Sequence, residues 1–143
     1  MFRTIVGAVA AVVTLSGAAS AETFEVHMMN RSENGTMVFE PSSLRIAVGD
    51  TVKFIPTDKG HNAESIEGME PAGAEPFKGA INEEIDVTLT EPGFYGVKCN
   101  PHFGMGMVMV IAVGDETAPD ESFLEGRLPK KAKEAIENSL SDL

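Results

Sequence analysis

Phe24, Val26 and Met28 alternate with Glu25, His27 and Met29, and this two-residue period commits the start of the chain to a strand with one buried face. Further strand-like runs follow at 37–40, 44–48, 51–55, 85–89 and 94–98, and a last one at 108–113 is apolar on both faces. Turn residues separate them: Asn34 and Gly35 in a polar segment at 31–36, then Pro41 with Ser42, Gly49 with Asp50, and Pro92 with Gly93. Short strands interrupted this often indicate a sandwich or barrel rather than a fold in which strands and helices alternate. Residues 63–82 carry Gly68, Pro71, Gly73, Pro76 and Gly79 without a sustained period, which predicts an irregular surface excursion with at most one helical turn.

The two ends of the chain read differently. Arg3, an apolar run from Ile5 to Leu15, and Ala19, Ser20 and Ala21 have the order of a secretory signal, so cleavage is expected after residue 21. Residues 22–143 then form one domain, exported to a bacterial periplasm and large enough for a single core. Ten basic and 22 acidic residues remain, a net charge of −12, which argues against nucleic acid and anionic membrane as partners. No membrane insertion is expected after cleavage, and a monomer is expected. Beyond Gly114 the pattern becomes helical: Leu128, Ala132, Ala135, Ile136 and Leu140 share one face, and Pro129 suits a first turn. The spacing predicts a helix at 129–141 that packs on the sandwich, with a shorter one at 119–125.

The chemistry concentrates between the last two strands. Cys99 is the only cysteine, so it forms no internal disulfide, and His102, Met105 and Met107 follow within one short loop. A thiolate, an imidazole and soft thioethers together suit copper, and two histidines with one cysteine and a weak axial methionine make the blue-copper electron-transfer set. The second histidine is His27 or His61. His27 lies on the outward face of the first strand beside Glu25 and reads as solvated. His61 stands in a loop between Gly60, which lets the backbone come close, and Asn62, whose amide can tie that loop to the cysteine loop, so His61 is the better candidate. Gly104 and Gly106 mark a tight turn around Met105 and leave either methionine available as the thioether.

His61 and Asn62, then Cys99, His102 and Met107 ahead of a final strand, together with the helical tail, resemble the cupredoxins. So do Glu25 to Met28, Met37 to Pro41, Gly49 to Val52, Asp58 to Asn62, Gly93 with Tyr95, and Pro101 beside His102. The likeness spans residues 22–143. It implies an eight-stranded Greek-key β-sandwich with one or two C-terminal α-helices, one type 1 copper, and no enzymatic activity. The implied ligands are His61, Cys99, His102 and Met107; relatives with a shorter loop place their methionine at the equivalent of Met105. It also implies one-electron delivery to periplasmic redox proteins of denitrification, especially copper nitrite reductase. Phe103 stands where the family often has Tyr, and Arg31 where Lys is frequent.

By the same resemblance the ring edge of His102 is the electron port, in an apolar end formed by Pro101, Phe103, Gly104 and Gly106. Arg31, Lys59, Lys78 and Lys98 lie in or beside the segments expected around it and would steer an acidic partner, against the plainer alternative of scattered solvated cations. Other functions remain comparable. A copper carrier without a redox partner could use the same soft residues. A zinc or structural site accepts Cys and His. A Cys-His nucleophile would also need an oriented base and an oxyanion site, for which the sequence offers nothing.

Overall fold

The computed structural model describes residues 20–143, so the signal expected at 1–21 lies almost wholly outside the described residues. Among the described residues eight strands run in chain order: β1 (Thr23–Ser32), β2 (Gly35–Glu40), β3 (Ser43–Ile46), β4 (Thr51–Pro56), β5 (Glu64–Ser65), β6 (Ile85–Thr88), β7 (Gly93–Lys98) and β8 (Val108–Val113). They form two four-stranded sheets ordered β2-β1-β4-β6 and β3-β8-β7-β5. The pairs β1–β4 and β3–β8 are parallel and the remaining neighbours antiparallel. One helix, α1 (Lys130–Ser141), closes the chain, and the shorter expected helix is a single 3-10 turn at Glu121–Leu124. No described helix is long and apolar enough to cross a membrane.

The alternation in β1 does what its period requires: Val26 and Met28 are fully buried and meet Phe39, Val52 and Phe54 from the same sheet. Against them the second sheet presents Tyr95, Val97, Met109 and Ile111, and the connection from β7 to β8 adds Cys99 and Met107. The strand that is apolar on both faces has a partner on each. Val108, Val110 and Ala112 turn outward into a second cluster with Phe94, Phe123, Ala132 and Ile136, so α1 covers the outer face of β7 and β8. Apolar packing restrains these two strands from both sides, and they carry the cysteine loop.

Two expectations need correction. The turn expected at 31–36 shrinks to Glu33 and Asn34, because Arg31 pairs with Thr36 and Ser32 with Gly35. That ladder omits Asn30 and Met37, where Met37 takes φ 52°, so Asn30 is released from strand pairing. The excursion at 63–82 is also not merely superficial. It opens with β5 on the edge of β7, and Ala63, Ile66 and Met69 are buried. Met69 comes so close to β7 that a Cβ at Gly96 would lie 2.9 Å from its Cε. Isolated apolar residues without a period anchored this segment, which is why periodicity missed it.

Candidate metal centre

Cys99 directly follows β7 and caps a 3-10 turn at Asn100–Met105 that returns the chain to β8. Pro101 starts that turn with a φ already suited to it, and Gly106 ends it at φ 88°, in the left-handed region open to glycine. A side chain at Gly106 would also meet the Lys131 carbonyl at 3.0 Å, so α1 packs directly on the loop. The turn closes with the N–H of Cys99 donating to the Met107 carbonyl at 3.0 Å and the N–H of Met107 donating to the His102 carbonyl at 3.1 Å. Cys99, His102 and Met107 are thus drawn together by one small hydrogen-bonded ring.

His61 reaches the same point from a loop without regular structure, and side chains hold it there. Asn62 Oδ1 accepts the N–H of Asn100 at 2.7 Å, while Asn62 Nδ2 donates to the Gly79 carbonyl and to Glu64 Oε2, both at 3.1 Å. Gly60 N–H donates to Asn82 Oδ1 at 2.7 Å. His61 Nε2 lies 2.8 Å from Asn30 Oδ1, which can only accept, so the proton sits on Nε2 and the lone pair of Nδ1 faces inward.

The inward atoms form a triangle. Nδ1 of His61 and Nδ1 of His102 are 3.2 Å apart, and Cys99 Sγ is 3.7 Å from the first and 3.5 Å from the second. With bonds of the length imidazole and thiolate make to zinc, a flat three-ligand set separates nitrogens by about 3.5 Å and nitrogen from sulfur by about 3.7 Å. The triangle fits a metal held by two imidazoles and a thiolate. Met107 is fully buried in the same core cluster as Cys99, whereas Met105 is 52% exposed. His27 stays apart, bonded to Thr57 Oγ1 at 2.9 Å and 3.6 Å from Glu25.

Burial, and then the neighbouring His102, lower the pKa of His61 below its ordinary value, with Asp58 opposing. Burial raises the Cys99 thiol, while backbone N–H groups of Asn62 and His102 aimed at the sulfur oppose that rise. Both shifts disfavour the charged form of the side chain concerned. A dication reverses the balance, because it stabilises the thiolate and takes the neutral imidazole lone pair.

Of the four cations singled out in the sequence, Lys98 has side-chain contacts at this end, and the other three neighbour its residues along the chain or through a backbone β-bridge. Arg31 follows Asn30, Lys59 precedes His61 by two residues, and Lys78 is bridged to Glu64 and precedes Gly79. Lys98 Nζ lies 3.4 Å from Glu64 Oε1 and 4.8 Å from the centre of the Phe103 ring. His102 and Phe103 are half-buried between exposed Pro101 and Gly104. Sequence reasoning missed Asn30 and Glu64. No spacing links Asn30 to His61; Glu64 had a signal only in its nearness to Asn62.

Two packed sheets with a Cys-His-His triangle at one end, its Cys99 and His61 buried and its His102 half-buried, define a cupredoxin. Residues 26–114 match the copper-binding proteins of the plastocyanin/azurin family, and the chain belongs to that family. Within it the chain belongs to the pseudoazurins. It is 46% identical to the pseudoazurin of Paracoccus pantotrophus over 141 residues, 99% of this chain and 97% of that one. Its structure is similar to a Sinorhizobium pseudoazurin, with TM-score 0.79 and 44% identity over 85% of this chain and 95% of that one. The pseudoazurin of Methylobacterium extorquens AM1 gives TM-score 0.78 and 38% identity over 84% and 98%. Copper is therefore the cofactor, and the chain is a cupredoxin electron carrier rather than an enzyme.

Proposed function

We propose that His61, Cys99, His102 and Met107 hold a single type 1 copper, and that the mature chain, residues 22–143, carries one electron at a time in the periplasm to a denitrification reductase such as copper nitrite reductase. The observation that carries the ligand set is the triangle of Sγ and two Nδ1 atoms with edges of 3.2, 3.5 and 3.7 Å. Bound copper supplies the Cu(I)/Cu(II) couple. The chain's own work is to keep the donor atoms still. β7 and β8 fix Cys99 and Met107, Asn30 fixes the ring of His61, and Asn62 locks the two loops together, so little rearrangement accompanies each transfer.

His102 is the ligand nearest solvent, and its edge offers the short path outward. A small apolar rim around it permits close approach without tight binding, and Arg31, Lys59, Lys78 and Lys98 supply attraction to an acidic partner. The full burial of Cys99 and His61 weighs against a copper-delivery role, which needs an open site. Addition of Cu(II) to the metal-free protein should give an intense blue colour that saturates at one equivalent and is lost only slowly to a chelator. A colourless oxidised complex would reject the ligand set. Electron transfer to copper nitrite reductase should weaken as salt rises, and rates independent of salt would reject the docking face. A mass for the exported protein that begins elsewhere than Glu22 would reject the cleavage site.

A further inference from the structure

Glu64 is a carboxylate only 7% exposed, in β5 at the copper end, and neither ligation nor the docking face accounts for it. A buried charge costs several kcal/mol unless it is paired, and an apolar residue of similar size usually serves stability as well. Both groups that compensate it belong to the site. Its Oε2 accepts from Asn62, the residue that ties the His61 loop to Asn100 and aims a backbone N–H at the Cys99 sulfur. Its Oε1 holds Lys98, which precedes Cys99 in sequence and lies over the Phe103 ring beside His102.

We propose that Glu64 is a positioning residue that sets both the reduction potential of the site and the share of Lys98 offered to a partner. A negative charge close to the metal favours the more highly charged oxidised form. Its grip on Lys98 partly neutralises a cation on the docking side. Docking of an acidic surface competes for Lys98 and loosens the pair, so approach of a partner and the redox balance of the site are coupled through one carboxylate. This rests on the ligand set and carrier role proposed above, and an intact blue band in each variant tests that foundation separately.

Glu64→Gln keeps an acceptor for Asn62 and removes the charge, whereas Lys98→Met leaves the Glu64 charge unpaired. Against a redox mediator at fixed poise, Glu64→Gln should move the ratio of reduced to oxidised protein about three- to tenfold toward reduced, the range expected for one charge at moderate distance and an effective dielectric near 20. Lys98→Met should move it toward oxidised. Glu64→Asp, which restores the charge, should stay within about twofold of the parent. Oxidation of the reduced protein by hexacyanoferrate(III), an anionic reagent, should depend more steeply on salt in Glu64→Gln because Lys98 is freed. Shifts of the same sign in Glu64→Gln and Lys98→Met, or equal shifts in Glu64→Asp and Glu64→Gln, would mark a packing role and overturn the proposal. An unchanged redox ratio and salt slope in a blue Glu64→Gln protein would overturn it as well.

Discussion

The two segments that meet at the metal centre are positioned by different physics. Cys99, His102 and Met107 belong to one nine-residue stretch, tightened by a 3-10 turn between two strands that are covered on both faces. His61 lies 38 residues before Cys99 in a loop without regular structure, placed by side chains of Asn30, Asn62 and Asn82. Chain connectivity holds the first segment and polar contacts hold the second. Changes in the first should therefore alter which atoms bind the metal, while changes in the second should alter how firmly a correct set is held.

The sharpest break falls on the first segment. Cys99→Ser removes the thiolate, and the copper-loaded variant should lose its intense blue absorption entirely; a band of undiminished intensity would show that residue 99 is not the ligand. On the second segment, Asn62→Ala removes three side-chain hydrogen bonds and strands the Asn100 N–H. Denaturant unfolding of the metal-free variant should show a loss on the order of 3 kcal/mol, and copper affinity should fall roughly 10- to 100-fold with the colour retained. A loss below about 1 kcal/mol would mean that some other contact holds the loop.

Acidity distinguishes the segments more gently. Below the ordinary histidine value of 6.5 the unfolded chain takes up a proton at residue 61 that the folded chain resists. The metal-free protein should therefore lose stability as pH falls beneath that value, until the folded imidazole also protonates. For Cys99 the sign is opposite in pH. Above 9.0 the unfolded thiol ionises while the folded one is held back, so stability should fall again as pH rises until the folded thiol ionises too. Unfolding of metal-free protein and of His61→Gln across pH 5 to 7 checks the acid limb, which should flatten in the variant. The smallest effect belongs to Met105→Leu. With that side chain 52% exposed, stability should change by less than about 0.5 kcal/mol and the blue spectrum should be unaltered. An altered spectrum would make Met105, not Met107, the thioether ligand.

Much of the framework was legible because its signals are local. The alternation in β1, the doubly apolar run of β8 and the helical spacing of Ala132 and Ile136 each state a period, and the strands and α1 lie where those periods fall. The meeting of Cys99 and His102 was equally readable, since the two share one loop. β5 was not, because two residues have no period. The support for His61 was legible only in part: Gly60 and Asn62 flank it, but Asn30 matters through a gap in the β1–β2 ladder that only the register reveals.

By itself the sequence determined a β framework, a terminal helix and a loop whose only thiol sits among imidazole and thioether donors, because each is a relation between residues close along the chain. The tertiary structure decided what depends on distance through space. It buried Met107 and left Met105 exposed, turned the lone pair of His61 inward through Asn30, and set Glu64 between Asn62 and Lys98. Those contacts join residues that the chain separates and the two packed sheets bring together, so no local pattern could have encoded them.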